Sequence, residues 1–411
     1  MHILVANNIY PPIMAGGAEL IVSYLCEELV RRGHRVTVVS TCGPEMEPYP
    51  TEIRNGVEVI RFFPPNLYWS FERDRQPGVR KWIWHARDAW NRKAGQRLNS
   101  MLATSRPDIM HSHVIDGMSA AIWRRAKKHA IPVIHTAHDY HLLCPRAFML
   151  TGNWKLCVRP SAKCRLYRNW HMATTRYVDL FTSPSQFLLD KHLDAGLASK
   201  HQAVVANGIP QPEDIDLVRS MRQPQSRHRF LMLSRLTVEK GIDVVIEAVA
   251  RLPSDSLVQV VIAGKGPLED RVRDAAANDP RITYLGYISG QEKLQALTNA
   301  GWLMIPSLWY ENAPVAIVEA AAYGLGVLGS DIGAIPEFVE HNRTGQLFPA
   351  GNADALAQMM NHLAQSPAAL PGLADRSREL ADRYTVARMA DQYEAHYRDL
   401  AVPLPFLAMA G

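Results

Sequence analysis

The stretch Trp302-Leu303-Met304-Ile305-Pro306-Ser307-Leu308-Trp309-Tyr310-Glu311-Asn312-Ala313-Pro314-Val315-Ala316-Ile317-Val318-Glu319-Ala320-Ala321 decides how this chain folds. Its first four residues are apolar and read as a buried strand, and the Ala-, Val- and Ile-rich run after Pro314 reads as a helix. Proline is tolerated at a helix start because its missing N–H would be unsatisfied there in any case. Glu311 therefore falls in a strand-to-helix turn, and Glu319 in the first turns of an apolar helix. A carboxylate in such surroundings is costly unless it is paired or hydrogen-bonded. Two acceptor-only groups flanking a helix N-terminus suit a ligand that offers hydroxyls to them and phosphate to backbone N–H groups. A nucleotide sugar offers both. Spacing alone fits a capping Glu and a helix-surface Glu equally well.

On either side of this stretch, short β-rich runs alternate with longer helical ones. Strands are expected at His2–Ala6, Arg35–Ser40, Val57–Phe62, Asp108–His113, Pro132–Thr136, Leu180–Ser183 and Ala203–Ala206. A second set follows at Phe230–Ser234, Val258–Ala263, Ile282–Leu285, Leu303–Pro306 and Val327–Ser330. Strands spaced by helices make parallel βαβ units, and two such sets predict two Rossmann-like, doubly wound α/β domains. The expected boundaries are 1–207 and 229–384, with 208–228 as a Pro- and Gln-rich linker. Ligands of open parallel sheets bind at the carboxyl ends of the strands, so the expected site is a central cleft fed by loops of both domains.

The Glu pair, set in Pro-Ser-x-x-x-Glu-Asn-x-Pro and followed by Glu-Ala-x-x-x-Gly, resembles the retaining, metal-independent GT-B glycosyltransferases of family four, glycosyl transferases group 1. The resemblance extends to Ser330-Asp331-Ile332-Gly333-Ala334-Ile335-Pro336-Glu337, Gly345-Gln346-Leu347-Phe348 and Ser234-Arg235-Leu236-Thr237-Val238-Glu239-Lys240-Gly241. It also takes in Gly264-Lys265-Gly266-Pro267, Asn207-Gly208-Ile209, His138-Asp139-Tyr140 and Gly16-Gly17-Ala18-Glu19, and so covers nearly the whole chain.

The resemblance implies a GT-B fold whose last helix, at about 385–400, packs back on the first domain. It implies that Arg235 and Lys240 bind the donor diphosphate, where fixed cations stabilise charge on a leaving phosphate. Glu319 would accept the ribose hydroxyls and Glu311 the donor-sugar hydroxyls, with Asn312, Ala313 and Pro314 lining the sugar or phosphate. The base would be read by main chain near Gly286 and Tyr287, Gly264 would border the cleft, and the Gly16–Gly17 loop would close over the donor. His138 would orient sugar or acceptor. No cofactor is expected. The substrate would be a UDP- or GDP-sugar such as GDP-mannose, with a glycan or lipid-linked glycan as acceptor, as in bacterial exopolysaccharide and lipopolysaccharide synthesis.

Composition sets the outer limits. The 411 residues, 47% hydrophobic and 21% charged, are those of a globular protein long enough for two cores. No run approaches the roughly 18 apolar residues of a membrane helix. No signal peptide precedes the first strand, which predicts a cytoplasmic chain. The apolar tail Ala401–Ala410 is short and carries two prolines. Five cysteines make no disulfide framework, and the spacing of Cys144, Cys157 and Cys164 is poor for zinc, so no metal site is expected.

Residues 1–210 carry 27 Lys and Arg against 16 Asp and Glu, whereas the remainder carries 18 against 24. A basic first half predicts an anionic partner, and with no nucleic-acid motif a membrane surface is the expected one. Within residues 66–98, Val79, Trp82, Ile83, Ala86, Trp90 and Ala94 follow helical spacing, with Arg80, Lys81, Arg87 and Arg92 on other faces. Such a basic amphipathic helix, Trp84 included among its aromatics, is expected to lie peripherally on an anionic bilayer; packing on the domain is the plainer alternative.

Three other functions compete. An epimerase of the same fold would need acid and base residues in place of an acceptor pocket. A dehydrogenase is disfavoured, because Asn7-Asn8-Ile9-Tyr10-Pro11-Pro12 follows the first strand where Gly-x-Gly-x-x-Gly would be needed. A non-catalytic nucleotide-binding scaffold would not need the full set Glu311, Glu319, Arg235, Lys240 and His138.

Overall fold

A computed structural model describes residues 1–14, 16–46, 51–213, 224–366 and 372–401. The tail beyond 401 and the middle of the 208–228 stretch lie outside the described residues. The chain gathers into two compact units: Met1–Phe148 with Arg159–Gly208 and the chain from Val386, and Met149–Val158 with Ile209–Thr385.

The first unit is built on eight strands: β1 (His2–Ala6), β2 (Arg35–Thr41), β3 (Thr51–Arg54), β4 (Val57–Phe62), β5 (Ile109–Ser112), β6 (Val133–Thr136), β7 (Leu180–Ser183) and β8 (His201–Val204). Their order is β3-β4-β2-β1-β5-β6-β7-β8. All neighbours are parallel except β3 with β4. Strands β5, β6 and β7 are buried on both faces, as helix-covered parallel strands must be, whereas β4 alternates buried and half-buried residues. Helices α1 (Ala18–Arg31), α2 (Gly78–Ala89), α3 (Arg92–Ser105), α4 (Ala121–Lys128), α5 (Ala162–Thr174) and α6 (Gln186–Asp194) connect them.

The second unit holds β9 (Arg229–Leu233), β10 (Gln259–Ala263), β11 (Ile282–Tyr284), β12 (Trp302–Ile305), β13 (Gly326–Ser330) and β14 (Gly345–Phe348). This sheet is wholly parallel, in the order β11-β10-β9-β12-β13-β14. Its helices are α7 (Ile242–Ala250), α8 (Glu269–Asn278), α9 (Gly290–Asn299), α10 (Val315–Ala322), α11 (Ile335–Phe338), α12 (Ala353–Gln365) and α13 (Leu373–Ala381). The core joins Phe230, Ile262, Met304 and Leu328 of the strands to Val245, Leu356 and Met360 of the helices.

Strand β8 lies two residues ahead of its expected position, and β3 and β14 were not expected as strands. Nor was Met149–Val158 expected outside the first domain. This segment bonds to itself, through Thr151 N to the Lys155 carbonyl at 2.7 Å and a Leu150–Leu156 bridge.

The last helix, α14 (Val386–Ala401), joins the first unit through polar groups buried beside its sheet. The His111 ring lies 2.7 Å from the Tyr397 hydroxyl on one nitrogen and 2.7 Å from the Thr136 hydroxyl on the other. Thr136 Oγ1 in turn lies 2.8 Å from the Tyr393 hydroxyl and 2.6 Å from Thr182 Oγ1. Buried hydroxyls and imidazoles are tolerated because they satisfy one another.

The same unit collects histidines that burial keeps neutral. Burial holds His111, His113, His135 and His171 well below the ordinary imidazole range and lowers His138 and His192 to about 4. Above about pH 6.5 both the folded and the unfolded chain carry these rings neutral. As pH falls the unfolded chain takes up protons while the folded rings do not, His138 and His192 until about 4, so stability falls across that window. Each unit of difference is worth about 1.4 kcal/mol per ring. Urea unfolding followed from about pH 7.5 to pH 5.5, above most carboxylate titration, is expected to show a falling midpoint. An unchanged midpoint would mean that the rings take up protons inside the fold.

Candidate active site

Strand order in the second sheet reverses between β9 and β12. At such a reversal the loops leaving the two strands run in opposite directions and open a crevice at the carboxyl ends. The loop after β9 carries Arg235 and Lys240, and the loop after β12 carries Glu311. They are joined directly. Glu311, 6% exposed, accepts through Oε1 from Lys240 Nζ at 2.7 Å, Ser307 Oγ at 2.6 Å and Trp309 Nε1 at 2.8 Å. The Lys240 ammonium also sits 5.1 Å from the centre of the Trp309 ring. Burial alone would push the Glu311 carboxyl up, but the Lys240 charge and the three hydrogen bonds outweigh it and hold it below the usual carboxylate range.

Backbone contacts fix the two loops in place. Leu308 N donates to the Glu239 carbonyl at 2.8 Å, and Ala334 N to the Glu311 carbonyl at 2.9 Å. Gly241, at φ +77°, passes so close to Pro306 that a Cβ would collide with its carbonyl. Gly264, at φ +148°, packs equally tightly on the Ser234 carbonyl beside Arg235. Leu236 N donates to the Lys265 carbonyl at 2.9 Å and Gly264 N to the Gly286 carbonyl at 2.8 Å, which joins the ends of β9, β10 and β11 into one platform.

The other expected donor residues of this unit fall around that platform. Arg235 is largely exposed, 3.7 Å from the carboxylate of buried Glu239, which accepts from Thr237 Oγ1 at 2.7 Å. Asn312 and Ala313 lie in the β12 loop, and Pro314 occupies the N-cap position of α10. Glu319, on α10, is partly exposed and paired at 2.6 Å with Lys293 of α9. Tyr287 is 65% exposed, with the Lys265 ammonium 5.9 Å from its ring centre.

Gly16, Gly17 and His138 belong to the first unit. The two glycines precede α1, and Gly16 N donates to Glu19 Oε1 at 2.5 Å. A Cβ on either would meet nothing within 4 Å, so the fold by itself does not require glycine here. His138 follows β6, partly exposed, with Nε2 3.0 Å from His113 Nδ1. The sequence pattern does not mark Lys293, and it names Glu239 and His113 only within longer stretches, without a role. Ser307 and Trp309 stood in the quoted stretch without a role, although their donors flank Glu311 within four residues.

The basic aromatic segment needs two corrections. Trp84 is fully buried, stacks on Tyr68 and donates Nε1 to the Tyr68 carbonyl at 2.9 Å, so it belongs to the core and not to a surface. The helix also stops at Ala89. Asn91 caps α3 by accepting from Lys93 N at 3.1 Å and Ala94 N at 3.4 Å, so Val79 to Ala94 do not form one stripe. Arg80, Trp82 and Arg87 are exposed, and Lys81 and Trp90 are partly so. All five cysteines are free. Among the described residues one set of groups has cation-sharing geometry, Asp88, Asp116 and His141, whose ligand atoms lie within 4.8 Å of one another. No described helix is long and apolar enough to cross a membrane.

Two family descriptions match the chain, "Glycosyl transferase 4-like domain" over residues 16–208 and "Glycosyl transferases group 1" over residues 227–366. An uncharacterized 42.6 kDa protein in the cps region of Klebsiella pneumoniae is 30% identical over 338 residues, 82% of this chain and 87% of its own length. The chain belongs to the group 1 glycosyltransferases. The amylovoran biosynthesis glycosyltransferase AmsK of Erwinia amylovora is 32% identical over 240 residues, covering 56% of this chain and 57% of its own. Anabaena HepE, solved in complex with UDP, superposes with a TM-score of 0.71 at 18% identity, over 97% of this chain and 100% of that one. Its likeness shows the fold, which is GT-B, two doubly wound parallel-sheet units carried by this glycosyltransferase.

Replacing one partner of the buried pair isolates the other. Lys240→Met leaves Glu311 without its cation, and loss of one partner of a buried pair costs about 3–5 kcal/mol. Adding Glu311→Gln should return most of that loss, because an amide needs no counter-charge. Urea unfolding of both variants measures this, and additive losses in the double variant would refute the coupling.

Proposed function

We propose that this glycosyltransferase moves a hexose, with retention and without a metal ion, from a nucleotide diphosphate sugar to a polysaccharide or lipid-linked acceptor at an anionic membrane face. The observation that carries the reading is the Lys240–Glu311 pair, flanked by Arg235, at the strand-order reversal. A fixed positive field beside a buried acceptor suits a ligand that joins a diphosphate to a hydroxyl-rich sugar.

In this reading the anomeric carbon–oxygen bond to the leaving phosphate breaks. The acceptor oxygen bonds to that carbon from the same face, and the acceptor proton passes to the departing phosphate oxygen. Arg235 and Lys240 take up the growing phosphate charge, as a metal ion would elsewhere, and loss of one such group costs on the order of 10² to 10³ in rate. Glu311, already ionised, holds sugar hydroxyls. Glu319 accepts from the ribose once Lys293 releases it. Asn312, Ala313 and Pro314 border the sugar, Gly286 and Tyr287 the base, and Gly16 and Gly17 admit a phosphate close to the backbone. His138, neutral at pH 7, orients sugar or acceptor. The names of relatives support the biological setting, since one lies in a cps region and another serves amylovoran synthesis. UDP in HepE, also solved with UDP-glucose, favours a UDP-sugar over a GDP-sugar.

Titration of UDP and GDP against wild type and Glu319→Ala tests the ribose role. A lost hydrogen bond to a charged group is worth about 1.5–3 kcal/mol, so affinity should fall at least tenfold, and equal affinities would sink the assignment. Glu311→Ala should instead spare nucleotide affinity and cut turnover.

Stereochemistry and metal use form a separate test. Turnover should survive excess chelator and give a product of retained configuration by NMR. An inverted product, or activity restored only by adding back a divalent ion, would overturn the mechanism.

A further inference from the structure

Helices α2 and α5 flank a groove of about 660 Å3, within the size range of natural ligand sites. Its walls are Trp82, Ile83 and Trp90 on one side and Leu166 and Trp170 on the other. Leu166 is 73% exposed, and Trp82, Ile83 and Trp170 are each 47% exposed. Exposed apolar side chains gathered in a concave site suit a ligand.

The helices that flank it are basic. The two helices carry Arg80, Lys81, Arg87, Lys163, Arg165 and Arg168 against a single acid, the buried Asp88. The Lys163 ammonium stands at the mouth, 5.6 Å from the centre of the Trp82 ring. An apolar trough with a lysine in its lining, on two basic helices, is complementary to a hydrocarbon chain that ends in an anion.

The floor narrows the choice of occupant. Tyr167, between the walls, donates its hydroxyl to the His141 carbonyl at 2.9 Å, and His141 lies three residues beyond His138 on the loop after β6. A flat bilayer contact needs no concavity, whereas a single chain that leaves the bilayer needs a trough to lie in. We infer that this groove holds the prenyl chain of a lipid-linked acceptor, with its phosphate at Lys163. The inference rests on the proposed lipid-linked acceptor and adds a site for the chain.

The test titrates farnesyl phosphate into the full chain and follows fluorescence of the groove tryptophans, with farnesol and inorganic phosphate as partial ligands. Leu166→Glu and Ile83→Glu change exposed positions and should weaken farnesyl phosphate by roughly tenfold or more, the equivalent of about two lost methylene contacts. Lys163→Gln should weaken farnesyl phosphate and leave farnesol unaltered. Circular dichroism and the urea unfolding midpoint serve as folding controls for each variant, because the groove lies in the first unit and the nucleotide residues in the second. Equal binding of farnesyl phosphate by wild type and both Glu variants overturns the site. Binding of anionic phospholipid vesicles without binding of farnesyl phosphate also overturns it, in favour of a bilayer contact. If wild type binds UDP and no prenyl phosphate, the groove assignment alone fails. If it binds no nucleotide diphosphate at all, the donor reading fails.

Discussion

A carboxylate buried between two loops is the constraint on which the second unit turns. Glu311 is almost fully withdrawn from water and ionised, a state that costs several kcal/mol unless a cation and donors surround it. Lys240 supplies the cation from the neighbouring loop, Ser307 and Trp309 supply donors from its own, and the Trp309 ring bears the lysine as well. The ends of β9 and β12 therefore cannot move apart without exposing an uncompensated charge. A rigid, pre-charged corner is what phosphate chemistry asks of a protein, because dipoles already oriented cost nothing to reorganise when charge moves.

The glycines near this corner serve two different purposes. Gly241 and Gly264 are demanded by the packing of one loop backbone on another, and a side chain there would push the platform open. Gly16 and Gly17 face empty space, so nothing in the folded chain itself explains them. The first pair is a matter of architecture, and the second points to something that approaches from outside.

Much of the fold was legible because parallel strands are buried on both faces and appear as unbroken apolar runs, as in residues 302–305 and 3–6. Edge elements were not. Strand β3, Thr51–Arg54, is polar and half-exposed and has no such signature. The break between α2 and α3 escaped notice because Trp90 and Ala94 continue the apolar spacing across it, while one Asn91 side chain ends it. Trp84 stands two residues from Trp82 in sequence, but which of two such tryptophans turns inward depends on what it meets, here Tyr68. At the site, Glu311, Lys240 and Arg235 were marked by their motif. Lys293 was invisible, since its partner Glu319 lies on another helix and only tertiary geometry joins them.

The way α14 completes the first sheet has a consequence for how the protein is made. His111 is translated early, yet the hydroxyl that satisfies one side of its ring belongs to Tyr397, near the end of the chain. The whole second unit emerges from the ribosome in between. That unit is continuous apart from Met149–Val158 and can close its own sheet as soon as α13 is synthesised. The first unit, although begun first, waits with a polar seam unsealed until the final helix appears. A released chain that ends before Val386 would thus carry a finished second half and an unfinished first one, the reverse of the order of synthesis.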